Sequence, residues 1–222
     1  MRSHPGSKLS APLHPKVYLI GTGSTGKTTL VKALQDRYTA TRQLSNTPEP
    51  LIITEVARKV LDELSIDPDD IASSPQKCLQ LQTAILHAQH QAETAALATD
   101  AFFISDRSGL DPIVYAKLLV GEFASHQLLQ SSEWKALESN LRNGIVFLCE
   151  AGCKWLVDEG TRLMPKDMEE WHRFDQAFRE MLDARALAYQ IVSRDRVRIV
   201  DRVNLVLGAI EQWPARTSDH FD

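Results

Sequence analysis

The 222-residue chain is 43% hydrophobic and 24% charged, with a formal net charge of −4. This is the composition of an ordinary water-soluble globular protein, and it argues against a general nucleic-acid binder, which needs a basic face. No apolar run reaches the ~18–20 residues of a membrane span, and the N-terminus lacks the basic-then-apolar layout of a secretory signal. The cytoplasm is therefore the expected location. Cys78, Cys149 and Cys153 are an odd count with no second Cys or His pair at zinc spacing. They read as buried or half-buried thiols in a reducing compartment.

Residues 1–15 carry Pro5, Gly6, Pro12 and Pro15 among Ser and His and read as a disordered lead-in. The apolar run Lys16-Val17-Tyr18-Leu19-Ile20 predicts the first strand, and Thr29-Leu30-Val31-Lys32-Ala33-Leu34 predicts a helix over about 27–40. Between them stands Gly21-Thr22-Gly23-Ser24-Thr25-Gly26-Lys27-Thr28, the P-loop pattern G-x-x-x-x-G-K-[ST] in its required strand–turn–helix context. Its glycines let the backbone wrap around phosphates. Successive amide N–H groups form an anion site, and the helix N-terminus adds partial positive charge. Residues Gly21 to Thr29 are thus the expected nucleotide-binding residues. Lys27 would reach the β- and γ-phosphates, and the Thr28 hydroxyl would bind Mg²⁺.

Thr41 to Pro50 reads as a polar loop, and Leu51-Ile52-Ile53-Thr54 as a short buried strand closed by Glu55. Val56, Val60, Leu61 and Leu64 then fall at helical spacing. Glu55 lies at the carboxyl end of a strand, where open α/β sheets place their ligands; the alternative role is an acidic group favouring the helix dipole. Residues 65–74 read as a polar loop. Asp69 and Asp70 there start a turn or cap a helix rather than hold a metal. A long helix is predicted from Pro75 to about Thr99, rich in Gln76, Gln80, Gln82, Gln89 and Gln91, of which one or two could hydrogen-bond a substrate. His87 and His90 on it read as a solvated face.

Ala101-Phe102-Phe103-Ile104-Ser105 is the next strand, closed by Asp106-Arg107. An apolar strand ending in an acid, paired with a P-loop, is the Walker B arrangement, in which Asp106 would hold Mg²⁺. Arg107 is placed to meet phosphate. Helices are expected over Leu110–Val120 and continuously from Phe123 to about Asn143, followed by the strand Ile145–Cys149 closed by Glu150. Trp155 to Pro165 is polar with Gly160 and Arg162, and Lys166 to about Gln190 is strongly helical with Trp171, Phe174, Phe178, Met181 and Leu182 as one apolar stripe. A lid over about residues 155–175 would bring Arg162 and Arg173 over a transferred phosphate; the alternative is surface arginines paired with Asp167, Glu169 or Glu170. Val197-Arg198-Ile199-Val200 is predicted as the last strand, with Asp201 capping a helix over about 202–212. Residues 214–222 read as a flexible tail. Strands alternating with helices predict one α/β domain over 16–213, a three-layer P-loop fold with a parallel sheet covered on both faces.

Gly21–Thr28, Thr54-Glu55-Val56-Ala57-Arg58, Asp106-Arg107-Ser108-Gly109-Leu110-Asp111 and Asp158-Glu159-Gly160-Thr161-Arg162 together resemble the P-loop "AAA domain" group that includes the ribosylnicotinamide kinase domain of NadR. The Trp155–Met164 and Pro165–Trp171 stretches resemble fungal members of that group. The resemblance covers roughly residues 16–212 and implies a five-stranded sheet in the order 2-3-1-4-5. Asp-Arg-Ser also resembles a motif of deoxynucleoside kinases, whose base is a strand-end Glu like Glu55. The implied activity is an ATP- and Mg²⁺-dependent kinase acting on a small hydroxyl-bearing metabolite such as a nucleoside, with GTP as the alternative nucleotide. Lys27, Glu55, Asp106, Arg107, Arg162 and Arg173 are the expected catalytic residues, and Thr28 and Asp106 the expected metal ligands. Either Glu55 or Asp106 is the base. The competing function is a nucleotide-dependent switch with slow hydrolysis that binds a protein or a phosphoinositide. The expected partners are a nucleoside triphosphate and a small acceptor, with no nucleic acid, in a monomer or dimer.

Overall fold

The computed structural model describes residues 15–42, 49–99, 102–153 and 167–213. Five strands form one sheet: β1 (Lys16–Ile20), β2 (Leu51–Ile53), β3 (Phe103–Asp106), β4 (Ile145–Cys149) and β5 (Gln190–Val192). Their order is β2-β3-β1-β4-β5 and every pair is parallel, the order implied by the family resemblance. Register puts Leu19 opposite Asp106, Ile20 opposite Leu148 and Cys149 opposite Val192. The chain therefore leaves β1, β2, β3 and β4 at one edge, where Gly21, Thr54, Arg107 and Glu150 follow.

Alternation along the strands divides the core. Tyr18, Ile20, Phe103, Val146 and Leu148 face one side. There they pack under α4 (Pro75–Ala98), α5 (Leu110–Leu119), α7 (Ser132–Arg142) and α8 (Met168–Ala184). Val17, Leu19, Ile104, Phe147 and Cys149 face the other, under α1 (Lys27–Arg42) and α9 (Ile199–Glu211). Near-continuous apolar strands are what a sheet buried on both faces requires. Two short helices, α2 (Val56–Leu64) and α3 (Pro68–Ser73), pack on α4 through Val60, Ile71, Cys78, Leu81 and Ile85.

One buried polar network sets α4 and α7 against the sheet. Glu93 of α4 accepts hydrogen bonds from Tyr18 Oη at 2.9 Å, Asn140 Nδ2 at 3.0 Å and Gln89 Nε2 at 3.0 Å. Gln89 also donates to Ser105 Oγ at 3.1 Å. Burial pushes the Glu93 carboxyl up, against these donors and the charge of Lys16.

The structure corrects four local expectations. The last strand is Gln190–Val192, and Val197–Val200 forms no strand: Ile199 opens α9. The β-branched run misled because Val197, Ile199 and Val200 are 63%, 40% and 51% exposed, whereas Val192 is fully buried beside Cys149. Asp201 sits in the first turn of α9 and pairs with Arg198. The helix expected over 123–143 is two, α6 (Glu122–Leu129) and α7, because Ser131 accepts from Trp134 N at 3.1 Å and starts a new helix. Residues 65–74 contain α3, capped by Asp67, whose carboxylate accepts from Asp70 N at 2.8 Å. The helix expected over 166–190 runs from Met168 to Ala184 and is capped by Asp167. No described helix is long and apolar enough to cross a membrane.

Candidate active site

The P-loop wraps between β1 and α1. Gly21 (φ +123°) must be glycine: a Cβ there would stand 2.8 Å from the Cys149 carbonyl oxygen. Gly26 (φ +81°) makes the second reversal. Lys27 folds back over the loop, its Nζ donating to Thr22 O at 2.5 Å and Thr25 Oγ1 at 3.2 Å. Burial, then the positive charge of Arg107, lowers the Lys27 pKa to about 8. Thr28 Oγ1 donates to Asp106 Oδ2 at 2.6 Å. The other oxygen, Asp106 Oδ1, is buried with no hydrogen-bond partner among the described residues. A hydroxyl touching one carboxylate oxygen, with the second oxygen unsatisfied, is a donor set that suits a hard cation such as Mg²⁺.

Glu55 and Arg107 meet across the sheet edge, with Arg107 Nε donating to Glu55 Oε1 at 2.5 Å. Arg58 Nε donates to Glu55 Oε2 at 3.1 Å. The remaining Arg107 Nη1 reaches Gly21 O at 3.3 Å and Asp111 Oδ1 at 3.2 Å. Asp111 in turn accepts from Ser108 N and Ser108 Oγ at 2.9 and 3.2 Å. Arg107 holds a φ of +85°, in the region that favours glycine. Such strain persists only where neighbours over-determine it, and three acceptors plus the Arg107 N to Leu19 O bond at 2.9 Å do so here. Burial favours the neutral form of Glu55, but Arg107, Lys27 and Arg58 outweigh it and hold the carboxyl at about 2. Burial likewise opposes the Arg107 charge, and Glu55 and Asp111 overcome it, so its pKa lies well above the usual value.

This pair is the shared wall of two clefts. One is lined by Ser24, Gly26, Lys27, Thr28 and Asp106 together with Glu55 and Arg107. The other is lined by Leu61, Leu81, Gln82, Ile85, Pro112 and Tyr115, again with Glu55 and Arg107, and spans about 680 Å³ including its open side. The first is polar and floored by backbone; the second is mostly apolar, with one carboxamide and with Arg58 and Asp111 beside the Glu55–Arg107 pair.

The structure thus brings together Gly21–Thr29, Glu55, Asp106 and Arg107. It does not bring Arg173 to either cleft: that side chain is largely exposed and lies 3.5 Å from Glu170. Arg162 lies outside the described residues. Among the glutamines of α4, Gln82 lines the apolar cleft while Gln89 serves the core network. Asp111, Tyr115 and Pro112 were not expected there, although Asp111 stands in the motif that carries the resemblance. Trp171 and Arg202 were missed as neighbours of the P-loop: Trp171 Nε1 donates to Gly23 O at 3.1 Å and Arg202 Nη1 to Thr25 O at 2.9 Å. Neither has a sequence signal beyond a tryptophan in an apolar stripe and an arginine in a helix.

Among solved structures, the chain is similar to NadR in complex with NR, at 21% identity and a TM-score of 0.68, covering 95% of this chain and 54% of that one. NadR in complex with NAD and AMP-PNP gives 18% identity, a TM-score of 0.63, and coverage of 95% and 52%. YorR protein from Bacillus subtilis in complex with phosphorylated GDP gives 15% identity, a TM-score of 0.51, and coverage of 90% and 98%. At these identities the likeness shows a shared fold. The chain spans about half the length of the NadR structures. Comparison with curated proteins yields no match. The family described as AAA domain is matched over residues 16–199, which is most of the chain and the whole of the P-loop site, and the chain belongs to that family.

Proposed function

We propose that the chain is a Mg²⁺·ATP-dependent phosphotransferase that phosphorylates a hydroxyl of a small metabolite, a nucleoside being the class that suits the cleft best. The observation that carries this reading is the shared Glu55–Arg107 wall, which a phosphate cleft and an acceptor cleft both use. A hydrolase needs only the first cleft.

In this reading the nucleotide's triphosphate lies on the amides of Ser24 to Thr28, with Lys27 turning from Thr22 O to the phosphates. Thr28 and Asp106 would hold Mg²⁺, which supplies charge neutralisation at the phosphate oxygens. The flat apolar part of the acceptor lies between Leu61, Leu81, Ile85, Pro112 and Tyr115, and Gln82 offers one donor and one acceptor to a polar ring edge. Its hydroxyl then faces Glu55. A carboxylate held at about 2 is a weak base. Phosphoryl transfer has a loose transition state in which little proton removal precedes bond breaking. Glu55 therefore works by accepting the hydroxyl's hydrogen bond and orienting its oxygen. Asp106 lines only the phosphate cleft, beside Thr28, whereas Glu55 lines both clefts, which leaves the orienting role to Glu55. Arg107, between the two clefts, lies nearest to the group in transit and offsets its charge.

The test uses γ-phosphate-labelled ATP with Mg²⁺ and a panel of nucleosides, with products separated by chromatography. Label appearing on a nucleoside supports the reading. Label appearing only as inorganic phosphate with every member of the panel overturns the nucleoside assignment and returns the chain to an NTPase switch.

A further inference from the structure

An anion nest works only if consecutive peptide planes turn their N–H groups inward. Each plane is rigid and trans, so its carbonyl then points outward, into the protein. A buried outward carbonyl needs a donor, or the plane rotates to find one. Besides Thr25 Oγ1, which donates to Thr22 O within the loop at 3.2 Å, the P-loop carbonyls meet four side-chain donors among the described residues. Arg107 Nη1 reaches Gly21 O at 3.3 Å and Lys27 Nζ reaches Thr22 O at 2.5 Å. Trp171 Nε1 reaches Gly23 O at 3.1 Å and Arg202 Nη1 reaches Thr25 O at 2.9 Å. The first two donors belong to the site itself. The other two come from α8 and α9, line neither cleft, and are 1% and 2% exposed.

We propose that Trp171 and Arg202 are positioning residues for the nucleotide's phosphates, each aiming one amide of the P-loop by gripping the carbonyl of the same peptide plane. The Gly23 carbonyl shares its plane with the Ser24 N–H, and the Thr25 carbonyl with the Gly26 N–H. Ser24 and Gly26 both line the phosphate cleft. Ser24 adopts a φ of +58°, a conformation a non-glycine residue keeps only when held. Arg202 is itself oriented from its far side, where Nε donates to Arg196 O at 2.7 Å and Nη2 lies 3.7 Å from Cys153 Sγ. Trp171 is wedged against Ala151 and Cys153. The phosphate nest is therefore shaped by helices whose sequence is 148 and 177 residues distant from the loop they hold.

This inference rests on the P-loop and not on the acceptor, so the probes are inorganic pyrophosphate, ADP and AMP-PNP with Mg²⁺, titrated calorimetrically into the full chain. Trp171→Phe removes the donor and keeps an aromatic ring, and the Trp134→Phe control carries the same loss of ring volume. Trp171→Phe weakens all three probes by a common factor of roughly three to ten, the worth of one neutral hydrogen bond. Arg202→Met weakens them roughly tenfold to a hundredfold and Arg202→Lys recovers part of that loss, as expected for a charged donor. Trp134→Phe is the control, because the Trp134 indole N–H is buried without a hydrogen-bond partner among the described residues; its affinities stay at wild type. Should Arg202→Met fail to fold, Trp171→Phe and Arg202→Lys carry the test. Wild-type pyrophosphate affinity in both Trp171→Phe and Arg202→Lys, or a loss in Trp171→Phe no larger than in Trp134→Phe, overturns the proposal. Absence of phosphoryl transfer to any acceptor would leave it standing.

Discussion

The two clefts that share Glu55 and Arg107 are built in opposite ways. The phosphate cleft is made mostly from one contiguous stretch, Ser24 to Thr29, closed by Asp106. The acceptor cleft takes Ala57 and Leu61 from α2, Leu81, Gln82 and Ile85 from α4, and Pro112 and Tyr115 from α5. The first uses the backbone amides of one turn and a fixed lysine, so its lining is set mainly by a single local stretch. The second uses side chains on three helices, so its shape depends on how those helices pack. The difference teaches that the lining of the phosphate cleft is contiguous in sequence and only braced from afar by Trp171 and Arg202, whereas the lining of the apolar cleft is itself assembled from distant helices.

That contrast is broken most directly at Lys27. Lys27→Ala removes a buried cation from the phosphate cleft and leaves the acceptor cleft untouched. The expected outcome is a fall of about 10³-fold in kcat/KM, in line with losing one preorganised charge-stabilising group. Thermal-shift titration with acceptor candidates should be unaltered. An acceptor response lost together with the nucleotide response would show that the clefts are not separable.

Glu55 sits on the boundary, and Glu55→Gln should lower kcat by about 10²-fold, the cost of misplacing the attacking hydroxyl. Nucleotide affinity should hold within about threefold, because Arg107 keeps Asp111 and Gly21 O as partners. The folded-state pKa of Glu55 is depressed from 4.5 to about 2. Its charge is therefore present throughout the neutral range and is lost only as pH falls towards about 2. The rate should accordingly show no acidic limb at the ordinary carboxylate pKa. A limb there would mean that the acceptor separates Glu55 from Arg107.

The phosphate cleft has its own pH signature. Lys27 is lowered to about 8, chiefly by burial. The triphosphate binds the protonated form, so affinity should be level below about pH 8 and fall by up to about tenfold per unit above it, with proton uptake on binding. Calorimetry in buffers of different ionisation enthalpy measures that uptake. No uptake at pH values above about 8 would show that Lys27 is already charged in the free protein.

The same contrast explains what could be read in advance. β1, β4, the P-loop and the Thr28–Asp106 pair were legible because each is a short contiguous pattern with one physical meaning. The strand order followed from resemblance rather than periodicity. Gln82 and Gln89 could not be told apart: both lie on α4 seven residues apart, and only the packing of α2 and α5 on one side and Ser105 on the other separates a cleft residue from a core residue. Trp171 and Arg202 were illegible for a related reason, since an indole donating to Gly23 O looks in sequence like any core tryptophan. Val197–Val200 was misread because exposed β-branched residues at the start of a helix carry the same signal as a strand.

Gln82 offers the finest cut between the two clefts. It is buried, lies on the α4 face that packs towards α2, and is the single carboxamide in a slot whose charged groups, Glu55, Arg58, Arg107 and Asp111, belong to the site's ion-pair network. Gln82→Leu keeps the volume and removes both hydrogen-bonding atoms. The acceptor's KM should rise about threefold to tenfold for a ring with a polar edge, with kcat and nucleotide Kd unchanged, because the lost interaction is made equally in ground and transition states. The reciprocal arm uses an acceptor lacking the polar ring edge. For it, Gln82→Leu should improve KM, since the wild-type amide is then left buried against an apolar surface. A fall in kcat with either acceptor would place Gln82 in orienting the hydroxyl towards Glu55, and the apolar slot would then be part of the chemistry rather than only of recognition.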